Sequence, residues 1–362
     1  NSDSQAVKDN YSSSSMLSSG QWFKLAILQE GIYRIDYAKL KQMGLTYPSN
    51  PKIYTNNTGQ LSFYNDNTEP DDLHEVGIAL VTGSDGIFNE GDYLLFYGQA
   101  TSRWKFDQVN GQYSYSKHLY SDTAFYFITS GTAPLLQISE MKQPDKEPDY
   151  YSSQSDALFS FEQDEINLIK SGREWYQNIS LISGISINPG FSNLVPGEKI
   201  LLRLRAVARS PVITHARLYE GTTLQKSLQF QSVNMFNSTG ARAQITDSVT
   251  KIIPLSTSPK FTVKYFNNGE STSEGWLDFL QLQARTQNIF NGGIFIFSDK
   301  LTVSQGRTTG FSVKCTSENP QLWDISDPSK PTKISWLRSG ENITFKANTS
   351  TLKKYILFSE SA

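Results

Sequence analysis

The sequence predicts a mainly β, multidomain protein: an antiparallel, jelly-roll-like β-sandwich plus an N-terminal β-rich domain carrying one short helix. Three observations predict it. The 362 residues exceed what one hydrophobic core usually organises. Aromatic residues make up 12% of the chain, mostly Tyr and Phe, beside many Ser, Thr and Asn; that mixture suits strands and turns. From Lys199 onward, short apolar–polar alternations recur with turn residues between them, as in an antiparallel sandwich.

Residues 1–19 are polar and Ser-rich and read as a flexible lead-in. The N-terminal β-rich domain is assigned to 20–140. In it, "QWFKLAILQEGIYRIDY" alternates and breaks at "EG", as a hairpin would. "DYAKLKQMGL" predicts the helix: Asp36 as its cap, Tyr37, Leu40 and Met43 on one face, and Gly44 as its stop. "PKIYTNN" and "LSFYND" read as a strand pair, "EVGIALVTG" and "DYLLFYGQ" as strands flanking a Gly-rich loop, and "YSDTAFYFIT" as a closing strand. Residues 141–157, with prolines and many charges, read as a linker. The sandwich is assigned to 158–290, although "FSFEQDEINLIKSGREWYQNISL" fits neither period. Residues 291–362 give further short strands, expected to complete the sandwich or to form a small C-terminal β unit.

Composition excludes some functions. The net charge is −2, and no Lys/Arg run offers a footprint for nucleic acid or an anionic membrane. No stretch approaches the 18 or so apolar residues of a transmembrane segment. One cysteine, Cys315, rules out an intrachain disulfide. Together these suit a bacterial extracytoplasmic protein, at the surface or in the periplasm, whose signal peptide is expected to have been removed.

The stretch "GSDGIFNEGDYLLFYG" concentrates Asp85, Asn89 and Asp92 among glycines, the weak candidates for a metal site, with calcium as the ion. An EF-hand-like loop counted from Asp85 needs ligands at the third and fifth positions and Gly at the sixth. Ile87, Asn89 and Glu90 stand there, so the pattern fails. The alternative is a turn in which Asp and Gly supply turn conformations. His74, His118 and His215 show no metal-ligand spacing, and Cys315 ends an apolar strand pattern without a Gly-rich nucleophile turn. The residues therefore predict no catalytic, cofactor-binding or metal site. Trp104, Trp175, Trp276, Trp323 and Trp336 are candidates for a sugar platform, though an aromatic in a sandwich strand more often fills the core.

Six segments, in order, resemble a known family. "GQWFKLAILQEGIYRIDYAKLKQMGL", "DGIFNEGDYLLFYG", "HLYSDTAFYFIT", "FEQDEINLIKSGREWYQ", "GWLDFLQLQAR" and "PQLWDISDPSKP" are similar to the N-terminal, non-catalytic region of PorU-type sortases. These are gingipain-family cysteine peptidases of the type IX secretion system of Bacteroidetes. The resemblance implies a region that precedes a peptidase domain, positions it, and docks to the outer-membrane attachment complex. The parent enzyme would cleave C-terminal sorting signals from secreted cargo and attach the cargo to lipopolysaccharide. The family's catalytic Cys and His belong to the later domain, so Cys315 is not its nucleophile. The chain departs from the family at Gln177-Asn178, where "GE" follows the aromatic pair, which puts any family role of that turn in doubt. The alternative is a stand-alone β-sandwich adhesin or carbohydrate-binding module, and a third reading is a complete enzyme whose His, Cys315 or carboxylates converge in one cleft.

Overall fold

The structure, a computed structural model, describes residues 12–56, 59–61, 70–236 and 239–359. The expected strand "LSFYND" after Leu61, and residues 1–11 of the lead-in, lie outside the described residues. The chain is mainly β with several antiparallel sheets, and it divides into two compact units: Asn1–Tyr151 with Phe290–Ala362, and Ser152–Ile289.

In the first unit, β1 (Phe23–Ile27), β3 (Pro51–Thr55), β4 (His74–Val76) and β9 (Ala124–Ser130) form one sheet, ordered β1-β9-β3-β4. A second sheet holds β2 (Gly31–Asp36), β6 (Tyr93–Gly98) and β5 (Ile78–Val81). The expected hairpin at "EG" does not form. β1 pairs with β9 and β2 with β6, so the break sends the chain from one sheet into the next. Alternation marks which side chains face inward but not which strand lies alongside. The helix α1 (Tyr37–Met43) is where expected, with Leu40 fully buried and Gly44 closing it at φ +86°. Asp36 makes no side-chain cap; its carboxylate pairs with Arg34 at 2.7 Å instead. Residues 12–19 are not a free lead-in. Met16–Ser18 form a 3-10 turn, and Asp72 accepts from the Met16 N–H and the Ser15 hydroxyl. A two-stranded hairpin, β7 (Arg103–Asp107) with β8 (Gln112–Ser116), completes this part.

The expected linker starts at the last residue of β10 (Ser139–Met141), contains β11 (Tyr150–Ser152), and β12 (Gln154–Glu162) begins within it. β10 and β11 each pair on one side, at a sheet edge, and Pro144 and Pro148 lie between them, where a missing N–H breaks no ladder.

The second unit contains β12, β13 (Gln177–Asn178), β14 (Ile185–Ile187), β15 (Ile200–Arg209), β16 (Thr214–Glu220), β17 (Thr223–Phe230), β18 (Gln244–Ile252), β19 (Phe261–Phe266) and β20 (Glu274–Gln287). Two sheets, β12-β20-β15-β18 and β14-β19-β16-β17, place most sequence neighbours in opposite sheets, which is jelly-roll topology. In β15, Ile200, Leu202 and Leu204 point inward while Leu201, Arg203 and Arg205 alternate with them. The core between the sheets includes Leu202, Leu204, Leu218, Val263, Leu280 and Leu282.

β21 (Ile289–Phe290), β22 (Ile294–Ser298), β23 (Thr308–Cys315), β24 (Gln321–Asp324), β25 (Thr332–Ile334), β26 (Leu337–Ser339), β27 (Asn342–Asn348) and β28 (Lys354–Phe358) follow. They form sheets β10-β25-β24-β28-β22 and β11-β23-β27-β26 around Phe311, Phe345 and Tyr355. Residues 291–362 were expected to complete the sandwich or to stand as a small unit. The strands among them instead join the first unit.

The reason lies in β6. Leu94 and Phe96 enter the N-terminal cluster with Ile53, Tyr126 and Ile128. Leu95 and Tyr97, on the other face, pack with Trp323, Ile356 and Phe358 from β24 and β28. "YLLFYG" is an unbroken apolar run because both of its faces are covered. Gly98 is required at its end, since a Cβ there would lie 2.8 Å from the Tyr33 ring.

Two outcomes test this packing. Trp323→Ala removes a side chain at 1% exposure and is expected to cost about 3–5 kcal/mol, read by urea denaturation. His74 hydrogen-bonds Ser329 at 2.9 Å, and burial holds its imidazole below the ordinary value of 6.5. Its contribution to stability is present above pH 6.5 and is lost as pH falls through the lowered folded value. The urea midpoint should therefore fall between pH 7.5 and 5.5 by more in the wild type than in His74→Gln.

Candidate functional site

The Gly-rich loop joins β5 to β6, whose ladder places Leu80 opposite Leu94. Its oxygens serve the turn. Asp92, 8% exposed, accepts from the Gly83 N–H at 3.0 Å and the Asn89 N–H at 2.8 Å. Asp85 accepts from the Ile87 N–H at 3.1 Å and the Asn89 amide at 2.9 Å, and these two donors hold its carboxyl below the ordinary range. Phe88 turns inward and meets Tyr37 edge-on. Asp85, Asn89 and Asp92 are thus brought together, but as a hydrogen-bonded turn. Among the described residues, no group of three or more His, Cys, Asp or Glu stands ready for a metal.

The remaining candidates are dispersed. Cys315 is fully buried among Phe311, Val313 and Ile343, its Sγ 3.7 Å from the Ser317 carbonyl oxygen. His74 faces Ser329, His118 sits before a turn in the first unit, and His215 lies in β16 of the second unit between Gln229 and Phe266. Trp276 and Trp323 are buried, Trp104 packs on Tyr115, and Trp336 lies beneath Arg338. Trp175 is 42% exposed.

Trp175 belongs to the segment that fitted neither period. Asn167 ties it into a knot, accepting from the Ile169 and Ser171 N–H groups and donating to the Ser171 carbonyl. Arg205 holds its far end, pairing with Glu174 and with buried Asp278, each at 2.9 Å, and that guanidinium keeps the Glu174 carboxyl below its ordinary range. Tyr176 donates to Glu174, and Gln177-Asn178 become β13 against β20.

The first unit contains a cavity of about 320 Å³. Its lining includes Lys24 on β1, Phe125 and Phe127 on β9, Asn56 after β3, Gln99–Thr101, His118 and Ser121. Lys24 projects outward because Leu25 and Ile27 take the core positions of β1, and its ammonium rests 3.4 Å from the Phe125 ring centroid. His118 Nδ1 accepts from the Tyr120 and Ser121 N–H groups at 3.2 and 2.9 Å, which leaves the proton on Nε2. Tyr126 closes the floor, accepting from the Gln99 N–H; burial pushes its phenol up to about 12. Sequence reasoning passed over this site. Its signals were the outward register of Lys24 and a histidine two and three residues ahead of turn N–H groups in "HLYSD".

No protein-family model matches the chain, and no curated protein matches it. Among solved structures it is similar to dimeric latent PorU from Porphyromonas gingivalis, with a TM-score of 0.77 and 17% identity over 96% of this chain and 32% of that chain. The chain has a PorU-type fold and spans about a third of that protein's length. Infectious bursal disease virus structures, the Gt strain and the VP2 subviral particle, reach TM-scores of 0.19. Their identities are 10% and 9%, over 85% and 95% of this chain and 61% and 83% of theirs. That score marks no shared fold.

If the Asp85–Asp92 loop is held by its own hydrogen bonds, EDTA leaves Tm unchanged. A fall of several degrees that calcium restores would make the loop a cation site. Asp92→Ala should cost about 1 kcal/mol by urea denaturation, because two part-buried N–H groups lose their acceptor. Asp85→Ala, on the exposed side of the loop, should cost less.

Proposed function

We propose that this chain is the non-catalytic N-terminal region of a surface sortase of the type IX secretion system. One observation carries the reading: a PorU-type fold over 96% of the chain that accounts for 32% of the PorU chain. The six segments in family order support it from the sequence. In this reading the chain positions a gingipain-family peptidase domain at the cell surface and docks to the outer-membrane attachment complex. The thiolate that attacks the sorting-signal peptide, and the histidine beside it, belong to that other domain. Secreted cargo and lipopolysaccharide are the parent enzyme's substrates.

The jelly roll at Ser152–Ile289 favours a second reading, a carbohydrate-binding module or adhesin, because such sandwiches often serve that role. Binding distinguishes the two. The purified chain is expected to bind attachment-complex proteins with a Kd of about 1 µM or tighter by biolayer interferometry. No binding there, together with glycan-array signal that depends on the jelly roll, would replace the first reading with the second.

A further inference from the structure

We propose that β18 is an interface between two copies of this chain, whose β18 strands join edge to edge and antiparallel across a two-fold axis at Val249. This surface lies within the jelly roll and stands apart from the sortase reading, which binding to attachment-complex proteins tests separately.

β18 stands at the edge of its sheet. Among the described residues it pairs with β15 alone and makes no main-chain hydrogen bond outside that ladder. Its nine residues therefore leave a row of N–H and C=O groups on the far side, a template for another strand. β17, in the other sheet, reaches it through side chains: the Thr246 hydroxyl donates to the Gln229 carbonyl, and the Gln225 amide to that of Ile253. The outward positions are Ile245, Asp247, Val249 and Lys251, continued by Ile253 past the strand end. Ile245, Val249 and Ile253 are 46%, 60% and 59% exposed. A β-branched apolar stripe along an open edge is what natural sheets ordinarily avoid.

The occupant follows from the order of these residues. Outward from Val249, each direction gives a charged residue and then Ile, and the two charges are opposite in sign. A second copy, antiparallel about Val249, sets Ile245 against Ile253, Asp247 against Lys251 and Val249 against itself. The same patch serves both sides, as a two-fold dimer requires. Lys251 is exposed and has no ion pair among the described residues. Asp247 bonds Arg203 at 3.1 and 2.6 Å, and its carboxylate keeps lone pairs for a second cation. Other registers lose the match. An axis at Asp247 or Lys251 puts like charges face to face, and an axis at Ser248 or Thr250 puts charges against apolar side chains. Charges on an edge ordinarily bar pairing; this symmetric pair bars every neighbouring register and favours one. A strand of another protein would fit as well only if it carried the same order. One strand pair is smaller than a standard interface, so the dimer is weak.

The test is sedimentation equilibrium of the whole chain. A monomer–dimer equilibrium with a Kd of about 10–100 µM is expected. Lys251→Asp and Asp247→Lys each set like charges across the axis, and each should weaken the dimer about tenfold. An equimolar mixture of the two should associate again, because each variant supplies the charge that the other lacks. Lys251→Asp breaks no ion pair within the described residues, so it carries the test alone if the loss of the Arg203 contact unfolds Asp247→Lys. Cross-linking reads the register. Val249→Cys brings two sulfurs to the axis and should form an intermolecular disulfide under mild oxidation, whereas Ile245→Cys should not. Cys315 is buried and takes no part. A chain that stays monomeric up to about 500 µM would overturn the proposal. So would a dimer indifferent to Lys251→Asp, two folded charge variants that fail to associate when mixed, or cross-linking that does not favour Val249→Cys.

Discussion

One strand with two buried faces holds the first unit together. β6 sends Leu94 and Phe96 into one apolar cluster and Leu95 and Tyr97 into another, so segments far apart in sequence, Tyr93–Gly98 and Gln321–Phe358, share a core. The geometry allows no other use of "YLLFYG", because an apolar run with one wet face would leave two large side chains in water. The polar end of this seam is closed as well. Tyr97 and Lys354 both bond Glu30, and burial, reinforced by that carboxylate, pushes the Tyr97 phenol well above its ordinary value. The loop before β6 and the turns around β9 inherit their positions from this packing, and with them the cavity that Lys24 and His118 line.

The fold was legible wherever burial has a period. The alternation in β15 announced a sandwich, and Leu40 between Tyr37 and Met43 announced the helix. Pairing was not legible. β1 and β2 show the alternation of a hairpin, yet each pairs elsewhere, because the residues that choose a partner are on other strands. The fate of residues 291–362 was hidden for the same reason. Trp323, Ile356 and Phe358 read as ordinary core residues, and nothing in their own segment names β6 as the surface they cover. Pro144 and Pro148 looked like a linker signature because edge strands and linkers tolerate proline alike.

The candidate site was legible in a different degree. Asp85, Asn89 and Asp92 drew notice because acids among glycines suit both a cation and a turn, and the residues at the counted positions fail the EF-hand pattern. Lys24 drew none, and His118 was weighed as a metal ligand. They lie about ninety residues apart, and each is bland alone; only the outward register of β1 and the fixed ring above Ser121 bring them to one cavity. The resemblance in six segments and the structural likeness to PorU agree on the fold. They reach it by different routes, through motif order in one case and backbone geometry in the other.

The most direct measurement of the central claim, that two distant segments form one unit through β6, is native-state hydrogen exchange. Amides of β6, β24 and β28 are predicted to open together, with one free energy and one denaturant dependence. If β24 and β28 exchanged at a lower free energy while β6 remained protected, the C-terminal strands would be an independent unit, and the account of the first unit would be contradicted.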